Sequence, residues 1–293
     1  MEKNIDEEQY LVLVKKIIDQ GESRKTRNSI TKSIFGERLE FNLSLNTIPF
    51  LTTKKLAWKT VIKELLWFLS GSTDNQILLD QNVNIWNGNA SREYMDSVGF
   101  NTRKVNDLGP IYGHQWRHFN AEYTDNKTDY SNQGVDQIKQ VLHLLKTDPM
   151  SRRIILSAWN PCQINQTNLP PCHILAQFYV STTGELSCQM YQRSADVGLG
   201  LPFNIASYAV LTFILAKLCN LKPKKIIIIV GDAHIYENHI QPLIVQSTRI
   251  PFDFPKLTFN HEKIYNDISD FTIDDFIVEN YQYHETIKMD MIA

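Results

Sequence analysis

The chain reads as a single α+β domain, and three observations predict it. Its 293 residues, 43% of them hydrophobic, suffice for a sizeable core. Stretches with helical spacing of apolar residues and stretches with strand-like alternation both occur along it. No internal repeat, low-complexity tract or linker divides it, so residues 1–293 are taken as one domain, with residues 1–22 as an N-terminal helical extension.

In chain order, residues 6–20 set Tyr10, Leu11, Leu13, Val14, Ile17 and Ile18 at helical spacing, with Gly21 as a candidate C-cap. Residues 23–29 read as a polar, partly basic loop before strand-like segments at 32–36 and 37–43. Residues 53–69 read as a long helix, apolar around most of its circumference and therefore central to the core. This helix carries Glu64 among Val61, Trp67 and Phe68, where an ionised carboxylate is costly unless something binds it. Glu64 is thus a candidate proton handler.

Residues 83–117 are rich in loops. Trp86, Tyr112 and Trp116 there are either a stacking surface for a flat ligand or loop anchors, and composition does not separate the two. Residues 121–133 read as an exposed polar excursion and 134–146 as a helix. Residues 151–159 read as a strand opening with Arg152 and Arg153, whose side chains would face opposite ways and so could not easily serve one site on their own subunit. The alternating segment 186–193 delivers Arg193, Ser194 and Asp196 to a strand end. Residues 198–204 form a tight turn before an apolar helix at 205–219, with Asn204 where an N-cap is expected. Residues 224–230 are a buried strand, and His234 and Tyr236 follow at its end as ligand groups or as hydrogen-bonded core residues.

Leu169-Pro170-Pro171-Cys172-His173 stiffens the entrance to the strand at 174–180, because each proline fixes φ and removes a donor. Cys172 is therefore held in one direction, as a nucleophile must be, although a lone cysteine is more often a small buried hydrophobe. Arg193 near it would both hold a phosphate and lower the thiol's pKa. A thiol, arginines at strand ends, one hemmed-in carboxylate and several amide, hydroxyl and imidazole groups point to covalent catalysis on a small phosphorylated molecule. A Cys172–His173 hydrolase is the weaker alternative, because adjacent strand residues face opposite ways.

The totals exclude other classes. A net charge of −2 gives no basic field to hold nucleic acid or an anionic membrane. The longest apolar runs, such as 226–230, are too short to span a bilayer, and the first residues are too polar for a secretory signal, so a cytoplasmic location is expected. None of Cys162, Cys172, Cys188 and Cys219 forms a C-x-x-C pair, so four free thiols and no metal are expected.

Leu169-Pro-Pro-Cys-His173, Gln192-Arg-Ser-Ala-Asp196, Gly198-Leu-Gly-Leu-Pro-Phe-Asn204 and Gly231-Asp-Ala-His-Ile-Tyr236, in this order, resemble the thymidylate synthase family. The likeness runs from about residue 23 to the end, and the segments at 91–92 and 130–134 resemble the longer, eukaryote-like form. The resemblance implies a central mixed sheet flanked by helices, and a homodimer with sheets packed back to back. It implies reductive methylation of dUMP to dTMP, with 5,10-methylenetetrahydrofolate giving both carbon and hydride, and no metal.

By the same resemblance Cys172 adds to C6 of uracil. Arg27, Gln192, Arg193 and Ser194, with Arg152 and Arg153 from a second subunit, serve the nucleotide and its phosphate. Asn204 pairs with the base and selects dUMP over dCMP, while His234 and Tyr236 bind the ribose hydroxyl. Glu64 moves protons around O4, Tyr112 helps remove the C5 proton, and His173 lines the site. Ile85, Trp86, Asn89, Leu199, Gly200, Phe203 and Ala293 contact the folate, Asp196 bonds the pterin, and the C-terminal residues form a lid.

The phosphate loop departs from the family pattern by losing two glycines at 26–31, and Glu285 replaces a common proline near the lid. Two other readings are a pyrimidine hydroxymethylase, which Asn204 opposes, and an idle relative that binds RNA such as its own message, which the charge does not support.

Overall fold

The computed structural model describes residues 4–26 and 29–291, so the Arg27 and Ala293 assignments lie outside the described residues. A six-stranded sheet contains β1 (Glu22–Lys25), β2 (Ile30–Asn42), β3 (Ile155–Ser157), β4 (His173–Val180), β5 (Glu185–Asp196) and β6 (Lys222–Tyr236). Its order is β1-β2-β6-β5-β4-β3. Only the β5–β6 pair is parallel, so the sheet is mixed, as expected. A parallel pair needs a crossover, and the helix Gly200–Cys219 supplies it.

That helix packs on β5 and β6 on one side and on the helix Trp58–Leu69 on the other. Cover on both sides explains a sequence with no polar face. It begins five residues earlier than the apolar pattern predicts and ends at Asn220, whose φ of 53° is left-handed. Its mean hydropathy of 1.5 over the apolar window makes it long and apolar enough to cross a membrane, contrary to the expectation from apolar run length. The same window is 83% buried inside the fold, which is how a core helix passes that test.

The first helix, Ile5–Gln20, is capped by Asn4, whose side chain accepts from the Glu7 N–H at 3.1 Å. It buries Tyr10, Val14 and Ile17 against the sheet. Gly21 ends it through its N–H to the Ile17 carbonyl, in an extended rather than a left-handed conformation. The helices Tyr112–His118 and Gln137–Thr147 complete the layer near the site. Beyond the sheet, β7 (Lys256–Phe259) and β8 (Phe276–Glu279) form a small antiparallel ribbon.

Several boundaries differ from the sequence expectation. Residues 22–25 pair with β2 as an edge strand instead of looping. The central helix starts at Trp58, and residues 52–55 form turns before it. Arg152 and Arg153 lie in an exposed turn before β3, so strand alternation does not govern their directions. The 121–133 excursion is pinned inward, because Tyr123 and Tyr130 stack at 5.7 Å and both rings meet His114 edge-on.

The most consequential difference is that β5 and β6 do not end where polar residues begin. In β5 the buried positions are even-numbered through Gln192, apart from Ser187 at a register shift, and then switch to Ala195; in β6 they are even-numbered from Ile226 through Val230 and then switch to Gly231, Ala233 and Ile235. The pleat changes phase in both neighbouring strands at the same level. The half-exposed set beyond it is Ser194 and Asp196 on β5 with Asp232, His234 and Tyr236 on β6. Gly231 permits this crowding, since a Cβ there would lie 2.7 Å from the Arg193 carbonyl oxygen. On the outer face of the sheet, Ile155, Leu175 and Tyr179 are exposed, as is Phe35 on β2.

Candidate active site

Cys172 sits immediately before β4 and is held from both sides. Its N–H donates to the Tyr112 hydroxyl at 2.7 Å. Arg193 donates from Nε to the Pro171 carbonyl and from Nη2 to the Pro170 carbonyl, each at 2.8 Å. The same Nη2 lies 3.9 Å from the Cys172 Sγ. The two prolines thus offer carbonyls to the guanidinium that faces the thiol, a fork only arginine makes. Burial pushes the Cys172 thiol up and the Arg193 cation opposes it, with burial the larger effect. Arg193 thus lowers the thiol's pKa as expected, but burial, which the sequence does not show, outweighs it.

His173 is not a base for Cys172. Its ring stacks on Tyr112 at 4.0 Å, and its Nδ1 is 2.9 Å from the Tyr208 hydroxyl. Burial lowers its pKa to about 3, so it stays neutral.

Glu64 is 9% exposed and accepts one hydrogen bond, from Trp86 Nε1 at 2.7 Å. Burial raises its pKa to about 7, and the Trp86 bond only partly offsets this. Trp86 is an anchor whose N–H serves the carboxylate, and its ring meets Tyr112 edge-on at 6.2 Å. Phe68, one helical turn beyond Glu64, touches Trp86, Tyr112 and His173. Glu64, Trp86, Tyr112, Cys172 and Arg193 therefore form one connected group.

Asn204 lies within the first turns of the helix Gly200–Cys219, so the capping explanation fails; the N-cap position is Leu199. Gln192 Nε2 donates to Asn204 Oδ1 at 2.9 Å and to the Ser194 carbonyl at 3.0 Å. That orients the Asn204 amide. The buried Gln192 Oε1 has no partner among the described residues.

Asp196 Oδ1 accepts from the N–H groups of Gly198 and Leu199, at 2.9 and 3.3 Å, and so shapes the turn into the Gly200 helix start. His234 stands opposite Asp196 in the β5–β6 register, 3.2 Å from Asp232 and edge-on to Tyr236. Ile85 and Phe203 are half-buried against the core, and Asn89 is nearly buried.

Arg152 and Arg153 are not brought into this group, and neither makes a side-chain hydrogen bond or ion pair with another described residue. The Thr26 hydroxyl donates to the Ser29 carbonyl at 2.7 Å. Two residues were missed. Lys54 is buried, donates to the Gly198 carbonyl at 2.6 Å, and has its pKa lowered to about 8 by burial despite Asp196. His239 lies 3.8 Å from Asp196. Nothing in the spacing of Lys54 ties it to residue 198, and His239 carries no local signal. No cluster of three or more metal-ligating side chains occurs among the described residues.

A family model described as thymidylate synthase matches residues 8–293. A thymidylate synthase of Saccharomyces cerevisiae is 52% identical over 99% of this chain and 98% of its own length. Bifunctional dihydrofolate reductase-thymidylate synthases of Paramecium tetraurelia and Zea mays are each 52% identical over 98% of this chain. The chain spans 62% and 54% of those two proteins' lengths.

Proposed function

The chain belongs to the thymidylate synthase family, and on that premise we propose that it reductively methylates dUMP to dTMP, with 5,10-methylenetetrahydrofolate becoming dihydrofolate. The observation that carries this reading is the Cys172 thiol fixed between Arg193 and Tyr112, one ring contact from the Trp86–Glu64 pair.

Cys172 adds to C6 of the uracil, and the electron pair moves toward O4, so that C5 becomes nucleophilic. Arg193 offsets the thiolate's charge in a buried setting. Asn204, oriented by Gln192, keeps its Nδ2 donor for the base, which suits the O4 acceptor of uracil. Glu64, poised near pH 7, shuttles a proton around O4, and Tyr112 is placed to help remove the C5 proton. Ser194, His234 and Tyr236 bind the phosphate and ribose from the half-exposed side of the phase change, with Arg27 completing the phosphate site.

The folate supplies the one-carbon unit and the hydride. The residues present fit it: among the described residues the side-chain hydrogen bonds of Asp196 go to Oδ1, which leaves Oδ2 for a pterin N–H, and Ile85, Trp86, Asn89, Leu199, Gly200 and Phe203 offer a mostly apolar wall. Ala293 and the residues before it act as a lid that excludes water.

The protein acts as a cytoplasmic homodimer in this reading. Support comes from the exposed apolar side chains on the outer sheet face and from Arg152 and Arg153, which extend free of local partners and would complete the neighbour's phosphate site. Incubation with dUMP and methylenetetrahydrofolate should yield dihydrofolate and dTMP. No dihydrofolate from folded protein refutes the proposal, and a hydroxymethylated product would identify the related hydroxymethylase.

A further inference from the structure

His239 is fully buried where three parts of the chain meet. Its Nε2 is 2.7 Å from the Asp290 carbonyl oxygen on the C-terminal segment. Its Nδ1 is 3.8 Å from Asp196 Oδ1 on β5, and its ring meets Tyr236 edge-on at 5.6 Å. Gly198 lies beneath the junction: a Cβ there would be 3.2 Å from His239 Nδ1, 3.3 Å from Asp196 Oδ1 and 3.3 Å from Met289 Sδ.

The neighbours dictate the ring's protons. A carbonyl only accepts, so Nε2 must carry hydrogen. A neutral ring would then aim the Nδ1 lone pair at a carboxylate, and Nδ1 would be a buried atom without a partner. An imidazolium keeps the bond to the Asp290 carbonyl and sets a positive charge 3.8 Å from the carboxylate, an ion-pair distance rather than a hydrogen bond. Burial pulls the His239 pKa down, but Asp196 and the Asp290 carbonyl outweigh it and raise it; Lys54, the other charge facing the ring, opposes them, and Tyr236 presents its ring edge.

We propose that His239 is a positioning residue that latches the C-terminal segment to the Asp196 carboxylate and so holds the cleft closed over the folate. This rests on the function proposed above. The other bonds on the segment among the described residues lie farther back, where Arg249 donates to the Glu285 carbonyl, the His284 N–H donates to the Thr52 carbonyl and the His284 Nε2 lies 2.8 Å from the Ile250 carbonyl. His239 is thus the polar tie nearest the chain end among the described residues. The Arg249 bond also means that Glu285, which stands where a proline is common, has its backbone held.

The test uses the full-length protein with His239→Phe, which keeps a ring but no donor, and His239→Gln, which keeps one donor. Hydrogen exchange of residues 284–291, corrected for intrinsic rates, should lose about tenfold or more in protection in the Phe variant and recover in part in the Gln variant. Wild-type protection should fall as pH rises through the histidine's titration, whereas the Gln variant should show no such step. In turnover, KM for the folate should rise about tenfold while dUMP affinity by calorimetry stays within about twofold.

Wild-type protection of the segment in the Phe variant would overturn the latch. Equal losses of dUMP and folate binding with a lower Tm would do so too, by showing a merely structural role. The exchange measurement needs no turnover, so a wild-type protein that makes no dihydrofolate would refute the function while the latch was still judged on its own.

Discussion

Replacing Glu64 by Gln separates the cost of its environment from its use. Gln keeps an oxygen to accept from Trp86 Nε1 and nearly the same shape, but it cannot ionise. Burial raises the Glu64 pKa from 4.5 to about 7. The folded state therefore binds this proton more tightly than the unfolded chain. The stabilisation is complete below about pH 4.5 and is lost as pH rises through about 7. At about 1.4 kcal/mol per pH unit, the span amounts to about 3 kcal/mol at pH 8.

Glu64→Gln should thus be more stable than wild type at pH 8 by up to about 3 kcal/mol, and should converge with it toward pH 4.5. Urea unfolding of both proteins at fixed concentration, from pH 5 to 8.5, measures the difference. The same variant should lose about 10²–10⁴-fold in kcat, the usual worth of a positioned proton donor. A stability difference that is flat in pH, or a Gln variant less stable at pH 8, would refute the reading of Glu64 as a carboxylate held against its ionisation by burial.

Other substitutions test neighbouring links. Cys172→Ser should abolish dihydrofolate formation in a spectrophotometric assay yet retain dUMP binding by calorimetry; normal turnover would rule out the covalent adduct. Asn204→Asp should move the preference from dUMP toward dCMP, read as the ratio of kcat/KM values, because the acceptor now faces an amino group. Gly231→Ala puts a Cβ within 2.7 Å of backbone, so it should cost about 1–3 kcal/mol in urea unfolding. It should also displace Arg193, which slower alkylation of Cys172 would report.

Much of the site was legible because its chemistry is written locally. Two prolines and a cysteine announce a stiff strand entrance, and a glutamate among Trp, Phe and Val announces a perturbed carboxylate. The fold class followed from periodicity, which reports only what each segment buries. Where polar residues continued a strand, as at 193–196 and 231–236, periodicity read a strand end, because a change of pleat phase looks the same as a loop in one dimension. Asn204 looked like a cap for a similar reason: Gly200, Pro202 and Asn204 are all residues that start helices, and only the backbone shows which one does.

The sequence by itself determined the reactive group, its stiff mounting, the buried carboxylate and the mixture of helix and strand, since each depends on neighbours along the chain. Only the tertiary structure decided that Arg193 is anchored by the proline carbonyls and that burial outweighs it at the thiol. It also decided that Gln192 orients Asn204, and that Lys54 and His239 join Asp196 from segments far apart in sequence. Those outcomes depend on distance and dielectric, which are set when β5, β6, the Gly200–Cys219 helix and the C-terminal segment pack together.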